Sequence, residues 1–318
     1  MAQSGKIFIT DYGFKDIHQE QTLFEAAGYD VQANKSSTEE ELIAESEDAV
    51  ALLVQWAPIT ADVIDKLQRC RIIVRYGIGV DNVDLAAAKR NGIPVCNIPD
   101  YCIHEVADHT ISLALSLARQ LTETHEQLIA GKWEIVPPRP MPAFQDMLFA
   151  TLGYGRIARE VLKRAGSFHF KLGAYDPYLA GDLLRDEGVE PLLFDELVAT
   201  ADILSLHLPL SQHTQHIINR EVIDKMKPGA ILINTSRGGL VDTVALAYAI
   251  EQGKIVAGMD VFETEPLPSD HPLRFARKAL LTSHTAWYSE RSVPTLQRMA
   301  AEEVLRGLSG IQLKNRIT

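Results

Sequence analysis

Short apolar runs alternate with amphipathic stretches from the start of the chain. Residues 7–10 are followed by a helical pattern to Ala27, an apolar position at Val31, a helix from Thr38, and further apolar runs at 49–54 and 72–75. The alternation resumes at 147–152 and continues through 172–175, 203–206, 230–234, 256–260 and 279–281. These runs are apolar at consecutive positions instead of every second one, the pattern of parallel strands covered on both faces. The rhythm predicts βαβ units and an α/β class with two stacked parallel sheets. Between the halves lies a helical pattern without interruption over about 103–130, carrying Val106, Ile111, Leu113, Leu115, Leu117, Leu121 and Leu128. Its apolar face suits bridging domains or pairing subunits. Pro137, Pro138, Pro140 and Pro142 then break the chain into an extended connector. From Ser289 the remaining residues read as an amphipathic helix whose spacing returns it to the first domain. The expected division is therefore 1–100 with 287–318, and 101–286.

Composition narrows the class of partner. A chain of 318 residues, 46% hydrophobic and 23% charged, is ordinary for packed globular domains. A net charge of −11 offers no basic surface for phosphates, which argues against nucleic acid as a direct partner. Apolar runs such as 49–54 fall far short of the roughly 20 residues that span a bilayer, and the start of the chain has no export pattern, so no membrane association and a cytoplasmic location are expected. Cys70, Cys96 and Cys102 are odd in number and lack a CxxC spacing, which argues against disulfides and a thiolate zinc site. His213 and His216 have no ligand cluster, and His104-Glu105 with His109 lacks the metalloprotease spacing; no metal is expected.

After the run ending at Leu152 comes Gly153-Tyr154-Gly155-Arg156-Ile157-Ala158, a G-x-G-x-x-A loop opening an amphipathic helix. Gly153 permits the tight turn, Gly155 lets backbone N–H groups approach a pyrophosphate, and Ala158 is small enough for close helix packing. The next run ends in Asp176, about 20 residues beyond Gly155, where a carboxylate accepts from both ribose hydroxyls and repels a 2′-phosphate. This arrangement points to a dinucleotide, with NAD favoured over NADP, in two Rossmann-like doubly wound domains with a cleft between them.

The region 231–284 carries the remaining chemistry. It places Asn234-Thr235-Ser236-Arg237-Gly238-Gly239, Asp260-Val261-Phe262-Glu263-Thr264-Glu265-Pro266 and Thr282-Ser283-His284 behind three successive apolar runs. An arginine, a carboxylate and a histidine at strand ends supply an anchor, a tuner of the imidazole and a proton donor, which hydride exchange with a 2-oxo acid requires.

Together with Arg75-Tyr76-Gly77-Ile78-Gly79-Val80-Asp81-Asn82, His207-Leu208-Pro209 and Met226-Lys227-Pro228-Gly229, these segments resemble the NAD-dependent D-isomer-specific 2-hydroxyacid dehydrogenases, phosphoglycerate dehydrogenase-like members included. The likeness covers most of the chain. It implies that Arg237 holds the substrate carboxylate, that His284 exchanges a proton with the carbonyl oxygen, and that Glu265 orients the imidazole and favours its charged form. The resemblance further implies cofactor contacts at Ile78, Thr110, Gly153, Gly155, Arg156, Ile157, Asp176, His207, Pro209, Thr214, Thr235, Ser236, Asp260 and His284, with Asp260 meeting the nicotinamide carboxamide. Substrate contacts would come from Arg75, Gly77, Ile78, Gly79, Tyr101, Arg237 and Trp287. By the same resemblance 1–100 with 287–318 is a substrate-binding domain, 101–286 an NAD-binding domain, and the protein a homodimer acting on a small 2-oxo or 2-hydroxy acid.

Trp287, three residues after His284, is similar to the C-terminal-binding-protein branch of the family. That likeness supports an alternative, a dinucleotide-sensing scaffold of corepressor type in which catalysis is incidental. Two departures stand out: Ser283 replaces the proline usual before the histidine, and Ala158 replaces the third glycine. Formate oxidation on the same fold is disfavoured by Glu265, since a general acid has no use when the product is carbon dioxide.

Overall fold

The two series of apolar runs form two separate parallel sheets. The computed structural model describes residues 5–34 and 38–318. The chain divides into two compact units, Met1–Cys102 together with Tyr288–Thr318, and Ile103–Trp287.

In the first unit five strands, β1 (Lys6–Ile9), β2 (Asp30–Ala33), β3 (Ala49–Val54), β4 (Ile73–Arg75) and β5 (Val95–Cys96), pair in the order β2-β1-β3-β4-β5. Every pairing is parallel. All six positions of β3 are buried, as a central strand between two helical layers requires. Helices α1 (His18–Ala26), α2 (Glu39–Ser46), α3 (Ala61–Lys66) and α4 (Leu85–Arg90) connect the strands. Three begin where a side-chain oxygen accepts an orphan N–H: Thr38 from Glu41, Thr60 from Val63 and Asp84 from Ala87. The returning helix Ser292–Leu308 buries Leu296, Ala300, Ala301, Val304 and Leu308 in this unit. The tail beyond it bridges antiparallel to β5 through Arg316 and Cys96, and Ile317 N–H donates to Val95 O at 2.8 Å. Strand β5, two residues long, is too short to register as an apolar run.

In the second unit seven strands, β6 (Leu148–Leu152), β7 (Lys171–Tyr175), β8 (Glu190–Pro191), β9 (Ile203–Leu206), β10 (Ile231–Asn234), β11 (Val256–Met259) and β12 (Ala279–Leu281), pair in the order β12-β11-β10-β9-β6-β7-β8. Its helices are α5 (Ile103–Ala118), α6 (Leu121–Ile129), α7 (Arg156–Ser167), α8 (Gly181–Asp186), α9 (Phe194–Thr200), α10 (Arg220–Lys225) and α11 (Thr243–Glu251); the helix that returns to the first unit is α12. Strands β9, β10 and β11 are buried throughout. The strand order reverses between β6 and β9, so the loops leaving these two strands diverge and open a crevice at the carboxyl edge of the sheet.

The helix expected without interruption over 103–130 is instead two helices. Gln120 adopts a left-handed conformation (φ 50) between α5 and α6, and its buried side chain accepts from Arg139 N–H and donates to Arg139 O. The connector after α6 is thus tied back to the break between the two helices. Helix α5 buries eight residues and α6 buries none. Trp287 groups with the second unit, one residue beyond the expected boundary. Among the described residues no helix is long and apolar enough to cross a membrane.

Candidate active site

Parallel strands bring all their carboxyl ends to one edge of the sheet, and the predicted residues of the second unit gather there. Gly153 follows β6 with φ +95, and a Cβ on it would lie 2.4 Å from the carbonyl oxygen of His207 at the end of β9. Only glycine lets these two backbones approach. Gly155 caps α7, and a Cβ built on it meets nothing within 4 Å, so open space lies before the helix N-terminus. Ala158, 1% exposed, packs α7 against the sheet. Asp176 is held by Tyr154 N–H on one oxygen and Tyr178 N–H on the other, both at 3.0 Å. A carboxylate has about four acceptor positions, so room remains for two ribose hydroxyls. A helix start, open space beside it and a fixed carboxylate next to the glycine turn fit a dinucleotide.

Along the same edge, burial pushes the His207 imidazole down to about 3 although the residue keeps a partly exposed edge, and its Nε2 lies 2.9 Å from Ser205 Oγ. The ring is neutral at physiological pH. Asn234 ends β10 and folds the next turn, accepting from Ser236 N–H at 3.0 Å and donating to Arg237 O at 2.8 Å. Ser236 Oγ donates to Leu206 O, and Thr235 Oγ1 lies 2.8 Å from Thr110 Oγ1 on α5. Thr110 is fully buried, and its hydroxyl also donates to Val106 O at 2.8 Å. Thr214 Oγ1 donates to Pro209 O at 2.7 Å and closes that loop on itself.

Arg237, Glu265 and His284 come together. His284 Nδ1 lies 2.7 Å from Glu265 Oε2, and Phe262 N–H donates to Glu265 Oε1 at 2.8 Å. A carboxylate only accepts, so Nδ1 carries a proton and Nε2 is the nitrogen left to exchange one. Burial opposes the charge on Glu265, but hydrogen bonds from His284 and Phe262 and the charges of His284 and Arg237 outweigh it and hold its carboxyl below the usual range. Glu265 is therefore an anion at neutral pH. Arg237 Nη1 donates to Ser236 O at 2.8 Å. Gly238 beside it abuts the next loop so closely that a Cβ would stand 1.9 Å from Phe262 C.

The sequence matches a known family. The model for the NAD binding domain of D-isomer specific 2-hydroxyacid dehydrogenases fits residues 111–286. The chain belongs to that family. It is 37% identical over 314 residues to the D-3-phosphoglycerate dehydrogenase of Methanocaldococcus jannaschii, covering 98% of this chain and 59% of the relative. The chain thus spans a little over half the length of the curated relatives it matches. A Thermus thermophilus protein of known crystal structure superposes with a TM-score of 0.85 at 32% identity, over 98% of this chain and all of the other. The D-lactate dehydrogenase of Aquifex aeolicus, solved with NAD and lactic acid, gives 0.86 at 27% identity, over 96% of both chains.

For this family member the remaining expected residues divide by unit. Arg156 and Ile157 open α7 in the second unit. Arg75, Gly77, Ile78, Gly79 and Tyr101 belong to the first. There Arg75 ends β4, Gly77 (φ +143) lies under the Arg75 guanidinium, and the loop is pinned by Ile98 N–H on Gly77 O and Asn97 Nδ2 on Ile78 O. Trp287 Nε1 donates to His284 O at 2.8 Å, which ties the indole to the histidine loop. Asp260 is fully buried, and its carboxylate accepts from Thr282 Oγ1, Thr285 N–H and Ala286 N–H. Those contacts tie it to the His284 segment. Asn234, Thr282 and the Phe262 N–H are parts of the site that sequence reasoning missed. Only Asn234, a turn-former at the end of a strand, had a signal to read.

Proposed function

We propose that this protein catalyses reversible NADH-linked reduction of a 2-oxo acid to a D-2-hydroxy acid. The observation carrying this reading is the Glu265–His284 pair beside Arg237, with the proton-exchanging Nε2 of His284 left unbonded to Glu265. The open N-terminus of α7 and the Gly153–Gly155 turn would hold the pyrophosphate, and Asp176 the adenosine ribose, at the expense of NADP. When bound, the nicotinamide supplies or accepts the hydride.

The chain's own residues do the rest. The planar guanidinium of Arg237 takes the substrate carboxylate and draws charge onto the carbonyl oxygen. His284 gives that oxygen a proton from Nε2 during reduction and recovers it during oxidation. Glu265 keeps the ring oriented and favours its charged form. Substrate contacts from Arg75, Gly77, Ile78, Gly79, Tyr101 and Trp287 are part of the same proposal. Mixing purified protein with NADH and a panel of 2-oxo acids, from pyruvate and phosphohydroxypyruvate to branched-chain acids, should consume NADH with at least one. NADH bound tightly with no turnover on any would overturn the reading.

We also propose a homodimer. Leu121, Leu128 and Ile129 of α6, with Trp133, Ile135 and Val136 after it, are exposed apolar side chains on one stretch of chain, an area that a second copy would cover. Sedimentation velocity should give twice the chain mass, and Trp133→Glu should shift the protein toward monomer.

A further inference from the structure

His284 sits in a backbone conformation that L side chains avoid. Its φ is +54. Such a backbone persists only where its surroundings over-determine it. Besides the Trp287 indole on His284 O and Glu265 on the ring, three backbone N–H groups of the loop are held by one residue. Asp260 O accepts His284 N–H at 2.7 Å, and the Asp260 carboxylate accepts the N–H groups of Thr285 and Ala286, each at 2.9 Å. The loop is as fixed as Asp260 is.

Asp260 is in turn held from the far side. Thr282 Oγ1 lies 2.5 Å from Asp260 Oδ1, and His109 Nε2 on α5 lies 3.0 Å from Thr282 Oγ1 and 3.7 Å from Asp260 Oδ1. The direction of this chain of bonds is forced. A carboxylate can only accept, so the single hydroxyl proton of Thr282 goes to Asp260; Thr282 Oγ1 must then accept, and His109 donates from Nε2. A donor that the buried carboxylate loses is not replaced by water, since Asp260 is fully buried.

We infer that His109 and Thr282 are positioning residues for the His284 loop, acting through Asp260. They touch neither the reacting atoms nor His284 itself. Their effect on rate rests on the reading of His284 as proton donor; their effect on the loop does not. A hydrogen bond lost to a buried carboxylate lets it turn away from the Thr285 and Ala286 amides, and the imidazole moves off its alignment while the glycine turn that receives the dinucleotide is untouched.

The test compares Thr282→Val, which keeps the shape and removes the hydroxyl, with Thr282→Ser, which keeps the hydroxyl, and His109→Leu with His109→Gln, whose amide still donates. Two readouts are taken on the full chain: steady-state kinetics with NADH binding by fluorescence, and the His284 imidazole resonance by NMR. Thr282→Val and His109→Leu should each lower kcat about tenfold, the equivalent of about 1.4 kcal/mol, with NADH affinity near wild type. Thr282→Ser and His109→Gln should recover most of it. The His284 resonance should shift and broaden in the first pair and not in the second. If Thr282→Val fails to fold, the His109 pair decides, because that ring is partly exposed and tolerates replacement.

Wild-type kcat and an unmoved His284 resonance in His109→Leu would overturn the inference, as would equal damage from the donor-keeping and donor-lacking variants. A wild-type protein inert on every 2-oxo acid, yet showing the predicted resonance changes, would instead sink the enzymatic reading and leave the positioning role standing.

Discussion

At the scale of single residues, the site is an arrangement of charges whose signs can be followed. Hydrogen bonds from His284 and Phe262 hold the Glu265 carboxyl below its usual range, so the site prefers an anion against the imidazole. Removing the carboxylate removes that preference. Glu265→Gln keeps an oxygen to accept Phe262 N–H but loses the charge, so kcat/KM for reduction should fall, on the order of 10²-fold as for loss of a general acid's support. The acid limb should not follow Glu265 titration, since a depressed carboxyl is already ionised there. A profile of kcat/KM against pH for both proteins checks the point, and equal values across the range would show that Glu265 does not support the donor. Much of this was legible from residue type alone. Arg237, Glu265 and His284 are the side chains the chemistry needs, each just after an apolar run. The Phe262 N–H that orients Glu265 was not, because any residue but proline carries one.

At the scale of elements, the site is made by loops pressed together at strand ends. The turn after β10 lies against the segment after β11, where Gly238 leaves no room for a Cβ beside Phe262 C and Glu263 N. The same segment is clasped from two other directions. Glu263 Oε1 lies 2.5 Å from His216 Nε2, and Glu263 Oε2 accepts Thr243 N–H at the start of α11. His216 N–H in turn donates to Gly239 O at 2.8 Å. Gly238→Ala must push backbone away from backbone, which no side-chain rotation relieves. It should cost about 1–3 kcal/mol of stability and lower kcat about 100-fold by separating Arg237 from Glu265. NADH affinity should change little, because the Gly153 turn lies elsewhere on the sheet edge. Thermal melting with kinetics and NADH titration would read all three; unchanged kcat would mean the two loops are not in register for catalysis. Elements also mark the limit of periodicity. Leu121 and Leu128 continue the spacing of α5 across Gln120 with no glycine or proline between, so the pattern reads as one helix. What ends it is a buried glutamine bonded to Arg139, a contact across 19 residues that no local window contains.

At the scale of the whole molecule, the first unit is assembled from both ends of the chain, and one buried cluster records the assembly. Glu20 on α1 accepts from Tyr76 Oη at 2.7 Å and from Gln297 Nε2 of α12 at 3.0 Å, while Gln297 also donates to Asp16 O. The Tyr76 ring stands directly before the Gly77 turn, so α12 reaches the 75–79 loop through Glu20. Apolar spacing alone placed the last helix with the first domain. The polar tie could not be read, since its members lie 277 residues apart. Burial is the largest influence on Glu20 and raises its pKa, opposed by the Tyr76 and Gln297 hydrogen bonds. A carboxyl raised in the folded state contributes stability below its unfolded pKa and loses it as pH rises through the folded value. Gln297→Leu removes one donor from the anion, and this costs little while Glu20 is protonated. The variant should therefore be nearly as stable as wild type at the acid end, and should lose about 1–3 kcal/mol as pH rises through the Glu20 titration. Melting curves of both proteins from pH 5 to pH 8 measure the gap. A gap that stays constant with pH would mean that Gln297 acts by packing alone, and that the charge on Glu20 is not what α12 is built to hold.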